Sequence, residues 1–275
     1  MTTGSLFATL PAGATRAALS IEYRWIDAAR ADAPLAVFLH EGLGSVSTWR
    51  DWPRALCARL GMRGLVWSRP GYGRSTPRAP GDKWPVDFLA RQARDVMPAL
   101  FDALGLGARE REHIWLIGHS DGASIALLYA AAFPAALAGA VAIAPHVFVE
   151  DVSIASIAAT RASYEGESAG LRAKLARHHD DVDSAFYGWN DVWLDPAFRS
   201  WRIVDALRTI RCPLLAVQAR DDHYGTLAQL DAIGAAVPHA RIRVLARGGH
   251  SPHRDAPAAL NDAIAAFVRD AAVTH

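Results

Sequence analysis

The sequence contains little of several features that would each indicate a particular class of protein. Cys57 and Cys212 are the only cysteines among 275 residues, and both fall in segments that are predicted to be buried. We therefore expect reduced thiols, as in a cytoplasmic protein, rather than a disulfide framework. No apolar run approaches the roughly 20 residues that a membrane-spanning helix needs. Residues 1–10 lack a basic start followed by an apolar run, so we expect no signal peptide.

Charge of one sign is also scarce. Acidic and basic residues nearly balance at a formal net charge of +1, and they are mixed along the chain without a basic block. Nucleic acids and anionic membranes attract clustered positive charge, so we expect neither as a partner. The expected partner is instead a small-molecule substrate, and the sequence leaves a homodimer open. With 51% hydrophobic and 21% charged residues, the composition is typical of a globular protein with a substantial core.

Short apolar runs alternate with longer amphipathic segments along most of the chain. Short continuous apolar runs are typical of strands that are covered on both faces. Their alternation with helices predicts an α/β fold with a mostly parallel, doubly wound sheet. Residues 18–25 alternate apolar and polar side chains instead, which predicts an antiparallel edge strand. The predicted buried strands cover residues 35–39, 64–67, 113–117, 138–144, 213–217 and 242–245, and the predicted helices cover 49–60, 86–104, 123–133, 227–237 and 256–272.

Residues 148–210 interrupt this alternation. They contain no convincing buried strand, and we interpret them as a helical cap inserted into a core made of residues 1–147 and 211–275. The segment is rich in large aromatic residues, including Trp189 and Trp193. These side chains either pack the cap onto the core or line an apolar pocket, since ligand sites are lined mainly by such groups. The predicted cap helices lie near residues 154–164, 169–178, 182–193 and 196–207.

Residues 118–122 read Gly-His-Ser-Asp-Gly and fit the pattern G-x-S-x-G. A predicted strand precedes them and a predicted helix follows, which is the context of a nucleophile elbow. Glycine is needed at both ends because a β-carbon would clash in so tight a turn. The turn lifts the hydroxyl of Ser120 clear of the sheet, at a helix N-terminus where the N–H of Asp121 can stabilise an oxyanion. We therefore predict that Ser120 is a nucleophile.

A nucleophilic serine needs a base, and the base needs a carboxylate to orient it. With this elbow, the expected chain order is serine, acid, histidine. His250 is the strongest candidate base among 11 histidines, because it follows a predicted strand in a loop whose two glycines let it reach inward. Asp221 and Asp222 both follow the strand at 213–217. Only one of two neighbouring side chains in a turn can point at the base, and either aspartate satisfies the order.

The loop that follows the strand at 35–39 is expected to supply a second oxyanion donor. Its glycines permit close backbone approach to a ligand, and we expect the N–H of Gly42 or Leu43 to serve. Glu41 is unexpected there, because a carboxylate would oppose a developing oxyanion. Its side chain either points away and braces the loop or contacts the substrate. Asp121 raises the same question, and we expect its side chain to lie along its helix N-terminus, where negative charge is favourable.

Polar residues at 146 and at 178–181 each have two interpretations. His146 follows the strand at 138–144, at the sheet edge where ligands bind in open α/β folds. It either lines the pocket or is structural. The run of two histidines and two aspartates at 178–181 is interpreted as a polar helix end and not as a metal site, because no further ligands are spaced around it.

These motifs together resemble the α/β-hydrolase superfamily, and the similarity extends over nearly the whole chain. Besides the elbow, it includes the loop at 40–45, the segment Ser-Arg-Pro-Gly-Tyr-Gly-Arg-Ser at 68–75 and the Gly-His loop at 249–250. The sequence is most similar to bacterial carboxylesterase-like members with a short helical cap. The resemblance implies an eight-stranded sheet, Ser120 as nucleophile, Asp222 as acid, His250 as base and no cofactor. Glu41 and Ala219 depart from the pattern, because glycine is usual at both positions.

The sequence thus predicts a serine hydrolase that cleaves a small carboxylic ester, lactone or thioester through an acyl-enzyme on Ser120. The expected substrate contacts are His146, Trp189, Trp193 and Glu41, without a metal. Two alternatives remain open. One is a hydrolase that cleaves carbon–carbon bonds of aromatic ring-cleavage products, and the other is a slow-turnover ligand-binding protein.

Overall fold

The computed structural model describes residues 4–13, 17–30, 32–166 and 170–273. Its centre is one eight-stranded sheet with the strand order β1-β2-β4-β3-β5-β6-β7-β8. The predicted α/β fold with a mostly parallel eight-stranded sheet is confirmed, because all strand pairs from β4 to β8 are parallel. The strands are β1 (Leu6–Leu10), β2 (Leu19–Ile26), β3 (Leu35–Leu39), β4 (Arg63–Trp67), β5 (Ile114–His119), β6 (Gly139–Ile143), β7 (Leu214–Ala219) and β8 (Arg241–Leu245).

The position of β2 differs from the prediction. Its alternating pattern correctly indicates an antiparallel strand, but β2 lies inside the sheet between β1 and β4, and it is antiparallel to both. The edge strand is β1, which the sequence analysis did not predict and whose Leu6 and Phe7 are exposed. Strand β8 forms the opposite edge, and most of its side chains are exposed. An edge strand has no neighbouring strand on one side and exposes more of its side chains to solvent. Its sequence therefore shows a weaker apolar pattern.

Helices cover both faces of the sheet, and the alternation of side chains along β3 shows the two layers. Leu35, Val37 and Leu39 pack into one apolar cluster, while Ala36 and Phe38 pack into another on the opposite face. The helices of the core are α1 (Trp52–Leu60), α2 (Phe88–Arg91), α3 (Met97–Ala103), α4 (Ala108–Arg111), α5 (Asp121–Ala132), α10 (Ala228–Ala236), α11 (Pro252–Asp255) and α12 (Pro257–Val273), with a π-helical turn at Gln92–Val96 between α2 and α3.

The stretch between β6 and β7 is helical, and we call residues 144–213 the helical insertion. Its α-helices are α6 (Asp151–Glu165), α7 (Gly170–Leu175), α8 (Val182–Trp193) and α9 (Val204–Leu207), with a 3-10 helix at Pro196–Ser200. The predicted helix at 196–207 is therefore two short segments. Residue 169, where another helix was predicted to begin, lies outside the described residues. The division into a core and a cap with boundaries at 148 and 210 stays a prediction.

None of the helices in the described ranges is both long and apolar enough to span a bilayer. A cytoplasmic location stays a prediction. Six parallel strands of the described sheet, from β4 to β8 in its order, end at the same edge, and the loops at this edge bring together segments that are distant in the sequence. This edge carries the predicted site residues.

Candidate active site

The turn between β5 and α5 holds Ser120 in a strained conformation. Its φ of 53° and ψ of −119° lie in a region that residues other than glycine rarely adopt. The neighbouring glycines are needed, because a β-carbon on Gly118 would collide with the backbone of Gly122, and one on Gly122 would collide with the backbone of Leu39. The sharp strand–turn–helix geometry that the sequence predicted for residues 118–122 is therefore present.

Three predicted residues form one hydrogen-bonded chain at this turn. The hydroxyl of Ser120 lies 2.9 Å from Nε2 of His250. Nδ1 of the same ring lies 2.9 and 3.0 Å from the two carboxylate oxygens of Asp222. Because a carboxylate only accepts hydrogen bonds, Nδ1 carries the proton and Nε2 is free to accept the proton of Ser120.

Burial and charge set the protonation of this chain. Burial lowers the pKa of His250 below its usual value, although the charge and hydrogen bond of Asp222 oppose the shift. Burial alone would raise the pKa of Asp222. The hydrogen bond to His250, the attraction to its ring and the N–H of Tyr224 together outweigh burial, so the pKa of Asp222 is lowered. At neutral pH the imidazole is thus neutral and can accept a proton, and the carboxylate is ionised.

The structure also separates the two candidate aspartates. Asp222 faces His250, whereas Oδ1 of Asp221 accepts a hydrogen bond of 2.9 Å from the N–H of Gly249. Asp221 therefore braces the loop that carries His250, without touching the imidazole. The neighbouring Tyr224 donates its N–H to Asp222, and its ring lies 4.7 Å from the His250 ring between centroids.

The backbone around Ser120 offers unused donors. Within the described part of the chain, the N–H groups of Gly42, Leu43 and Asp121 donate to no protein acceptor. All three residues line the same cavity as Ser120. The β-carbon position of Gly42 is filled by the indole of Trp189, so only glycine allows this loop to pass beneath that ring. The two-segment oxyanion hole stays a prediction, with Gly42 and Leu43 as alternative donors beside Asp121.

Asp121 is the first residue of α5, so its carboxylate lies in the first turn of that helix. It is buried and forms an ion pair of 3.5 Å with Nη1 of Arg69, and both side chains are only 1% exposed. Nε1 of Trp193 donates a second hydrogen bond of 3.1 Å. Burial raises the pKa of Asp121, although Arg69 and Trp193 oppose the shift. Arg69 of the segment after β4 and Trp193 of α8 therefore hold this carboxylate at a helix N-terminus, where negative charge is favourable.

Arg69 joins the two segments that carry the candidate oxyanion donors. Besides its ion pair with Asp121, its Nη2 donates a hydrogen bond of 2.8 Å to the carbonyl of Glu41. Nδ1 of His40 donates to the same carbonyl, and Nε2 of His40 accepts from the N–H of Arg69. No local pattern in the sequence indicates this bridge, although Arg69 lies inside the family-like segment 68–75.

The side chain of Glu41 faces a buried histidine. Its Oε2 lies 3.6 Å from Nδ1 of His119. Nε2 of the His119 ring donates a hydrogen bond of 2.6 Å to the carbonyl of His250. Burial alone would raise the pKa of Glu41, but the facing His119, with His253 and His40 nearby, lowers it. Glu41 therefore braces its surroundings, and a contact with substrate stays a prediction for a carboxylate that is 25% exposed.

Comparison with known proteins decides the family. A family model described as "Alpha/beta hydrolase family" matches residues 36–263. The chain belongs to this family. The match spans all the strands from β3 to β8, the elbow, Asp222 and His250, so the predicted resemblance is confirmed, and the chain is a hydrolase.

The individual relatives that match have low sequence identity to this chain. A protein of Caulobacter sp. (strain K31), provisionally named carbamate hydrolase RutD, is 28% identical over 252 residues, which cover 84% of this chain and 90% of that one. The human serine hydrolase BPHL is 25% identical over 203 residues, covering 69% and 63%. A carboxylesterase structure from Nitrososphaera gargenis has a TM-score of 0.77 at 19% identity, covering 98% and 100%. At that identity the structure supports the fold alone.

The cavity of this α/β hydrolase that contains Ser120 has a volume of about 510 Å³. All four residues predicted to contact substrate lie in its wall, namely His146, Trp189, Trp193 and Glu41. The ring of His146 lies 5.7 Å from that of His250 and 5.2 Å from that of Trp193. Burial and the nearby charge of His250 lower the pKa of His146 to about 3, so its ring is neutral near Ser120.

Several wall residues were not predicted. The rings of Tyr224 and His119 lie 4.7 and 5.2 Å from that of His250. Ile157, Leu171 and Leu175 of α6 and α7 add an apolar surface. His179 was interpreted as part of a polar helix end, but it is buried and ties two segments of the site together. Its Nδ1 accepts from the N–H of Gly73 and its Nε2 donates to the carbonyl of Leu43. No sequence signal distinguishes such a histidine from a solvated one.

Proposed function

We propose that this hydrolase is a carboxylesterase-type serine enzyme that cleaves a small ester, lactone or thioester through an acyl-enzyme on Ser120. The observation that supports the proposal most strongly is the hydrogen-bond chain from Ser120 through His250 to Asp222. The human relative is named a serine hydrolase, which agrees with a serine nucleophile. The proposed partner is a small-molecule substrate without a cofactor, and the expected location is the cytoplasm.

In the first step, Nε2 of His250 removes the hydroxyl proton of Ser120 while Oγ attacks the carbonyl carbon of the substrate. The carbonyl π electrons move to its oxygen, which the N–H groups of Asp121 and of Gly42 or Leu43 stabilise. Asp222 orients the imidazole and stabilises its charged form. The imidazolium then protonates the leaving alcohol or thiol as the tetrahedral intermediate collapses, and the acyl group remains on Ser120.

In the second step, water takes the place of the alcohol. His250 removes a proton from the water, which attacks the acyl carbon, and the same donors hold the second oxyanion. Collapse returns the proton to Ser120 and releases the acid. His146, Trp189, Trp193 and Glu41 are the proposed substrate contacts, and the helices within residues 148–210 are the proposed cap over them.

The experiment that tests this proposal compares two serine-to-alanine variants on p-nitrophenyl butyrate. Ser120→Ala should lower kcat on the order of a millionfold, as expected for loss of a nucleophile, and should no longer bind a fluorophosphonate covalently. Ser200→Ala is the matched control, because Ser200 is exposed in the 3-10 helix, and it should keep the parent rate. Parent activity in Ser120→Ala would contradict the proposal. Ser120-dependent cleavage of an aromatic ring-cleavage product, with all esters inert, would replace it with the carbon–carbon bond hydrolase.

A further inference from the structure

Four cationic side chains surround the cavity that contains Ser120, and nothing in the proposed acyl transfer uses them. Arg50 lies in the turn before α1, Lys174 in α7, Arg177 just after α7, and Arg254 in α11. All four are exposed, and they come from three distant parts of the chain. We call them the cationic rim.

Within the described ranges of the chain, the cationic rim has no ion-pair partner. Arg254 donates a hydrogen bond of 2.8 Å to the hydroxyl of Ser251. Asp255 is the only exposed carboxylate in the described lining of the cavity. The mouth of the cavity is therefore strongly positive, although the chain as a whole carries a formal charge of only +1.

Of the two other carboxylates of the wall, Asp121 is neutralised by an ion pair, and Glu41 sets one partly exposed negative charge against the four cations of the rim. Asp121 is buried against Arg69, and Glu41 faces His119. Positive charge at a concave site with low-dielectric walls raises the local concentration of anions. Beneath the rim the wall is apolar, with Leu171, Leu175 and the indole of Trp189.

From this arrangement we propose that the substrate is an anion, namely an ester, lactone or thioester with a further carboxylate at the end of a short apolar chain. The scissile carbonyl lies at Ser120, the apolar chain lies against the tryptophan and leucine side chains, and the carboxylate meets the cationic rim. This inference rests on the proposed function, because it concerns the same cavity and the same reaction. It goes further by assigning specificity to Arg50, Lys174, Arg177 and Arg254.

Two esters of the same size test the charge of the substrate. The p-nitrophenyl monoester of glutaric acid carries a distal carboxylate, and the p-nitrophenyl ester of glutaramic acid carries a neutral amide of nearly the same shape. Rates are taken above the background without enzyme, because the monoester hydrolyses on its own. Each exposed cation should raise kcat/KM for the anionic ester over the neutral ester by about two- to fivefold. The four together should favour the glutarate ester by about tenfold or more at low salt. The ratio should approach one near 1 M salt, where the Debye length falls to about 3 Å.

The variants use the only two lysines of the chain, Lys83 and Lys174. Lys174→Gln with Arg177→Gln should lower the glutarate preference at least fourfold. The control, Lys83→Gln with Arg269→Gln, removes the same charge from exposed positions outside the cavity and should keep the preference of the parent. A parent ratio near or below one, or an equal loss in both double variants, would overturn the inference.

A binding measurement separates this inference from the proposed function. Glutarate should bind to Ser120→Ala in isothermal titration calorimetry, and the Lys174→Gln, Arg177→Gln background should weaken this binding at least fourfold. If Ser120 proves essential but glutarate is neither preferred nor bound, only the substrate class is wrong. If neither ester is hydrolysed through Ser120, the proposed reaction is wrong. Salt-sensitive binding of glutarate would then still support the anion site at the cationic rim. If glutarate did not bind in that case, the anion site would be overturned as well.

Discussion

Replacing Arg69 with methionine should damage both the stability and the rate of this hydrolase. The change keeps most of the volume of the side chain but removes the charge that faces Asp121, and both groups are only 1% exposed. Removing one partner of a buried ion pair typically costs about 3–5 kcal/mol, because the remaining charge is buried without compensation. Asp121 would keep only its hydrogen bond from Trp193. For a chain of this length, we expect the Tm to fall by roughly 6–12 °C.

The loss should depend on pH. Burial already raises the pKa of Asp121 above its usual value while Arg69 opposes the shift, so the variant should have a still higher folded-state pKa. An acid whose pKa is raised by folding contributes stability below its unfolded pKa and loses it as the pH rises through the folded pKa. The difference in unfolding free energy between parent and Arg69→Met should therefore be smaller at pH 5 than at pH 7.5. Chemical denaturation at both pH values measures it.

Arg69 should also affect catalysis, because it connects Asp121 to the carbonyl of Glu41. Its loss frees both segments of the proposed oxyanion hole. We expect kcat to fall more than KM rises, by at most the roughly 10²–10³-fold that a lost oxyanion donor costs. The control Arg59→Met breaks an exposed pair with Asp262 and should cost at most about 1 kcal/mol without changing kcat.

A double-variant cycle gives the result that would refute this reasoning. Asp121→Asn removes the charge but can still accept the hydrogen bond of Trp193, so Arg69→Met with Asp121→Asn leaves no unpaired charge. The double variant should be more stable than the sum of the single losses predicts, by at least about 1.5 kcal/mol. If the single losses simply add, or if Arg69→Met costs less than about 1 kcal/mol at pH 7.5, the buried pair does not have the role described.

Three further outcomes are expected. Asp222→Asn should lower kcat by roughly 10⁴-fold without unfolding the protein, and a fall below tenfold in steady-state kinetics would contradict its role. Because burial lowers the pKa of His250 below 6.5, and the base must be neutral, kcat/KM should stay level from pH 7 to 9 and fall only below about 6.5. A midpoint above 7 would be inconsistent with this environment. Gly42→Ala should lower kcat, because the new methyl group collides with Trp189, and unchanged kinetics would show that the loop can move freely.

The sequence by itself determines much of this protein, wherever the deciding contacts are local. Continuous apolar runs predict the parallel strands, and the structure places each strand within two residues of its prediction. The glycines at 118 and 122 predict the elbow, because steric exclusion within five residues needs no knowledge of the rest of the chain. The order of Ser120, Asp222 and His250 follows from the family pattern, although the resemblance was needed to choose between Asp221 and Asp222.

Only the tertiary structure decides which side chains meet across distant segments. Arg69 lies 52 positions before Asp121, and Trp193 lies 72 positions after it, yet the three form one buried cluster beside the nucleophile. The cationic rim likewise combines residues from α7, α11 and the turn before α1. Such contacts depend on strand order and on the crossovers that bring loop ends to one edge of the sheet. No periodicity or local motif in the sequence records these distances, so the charge around Ser120 follows only from the packed fold.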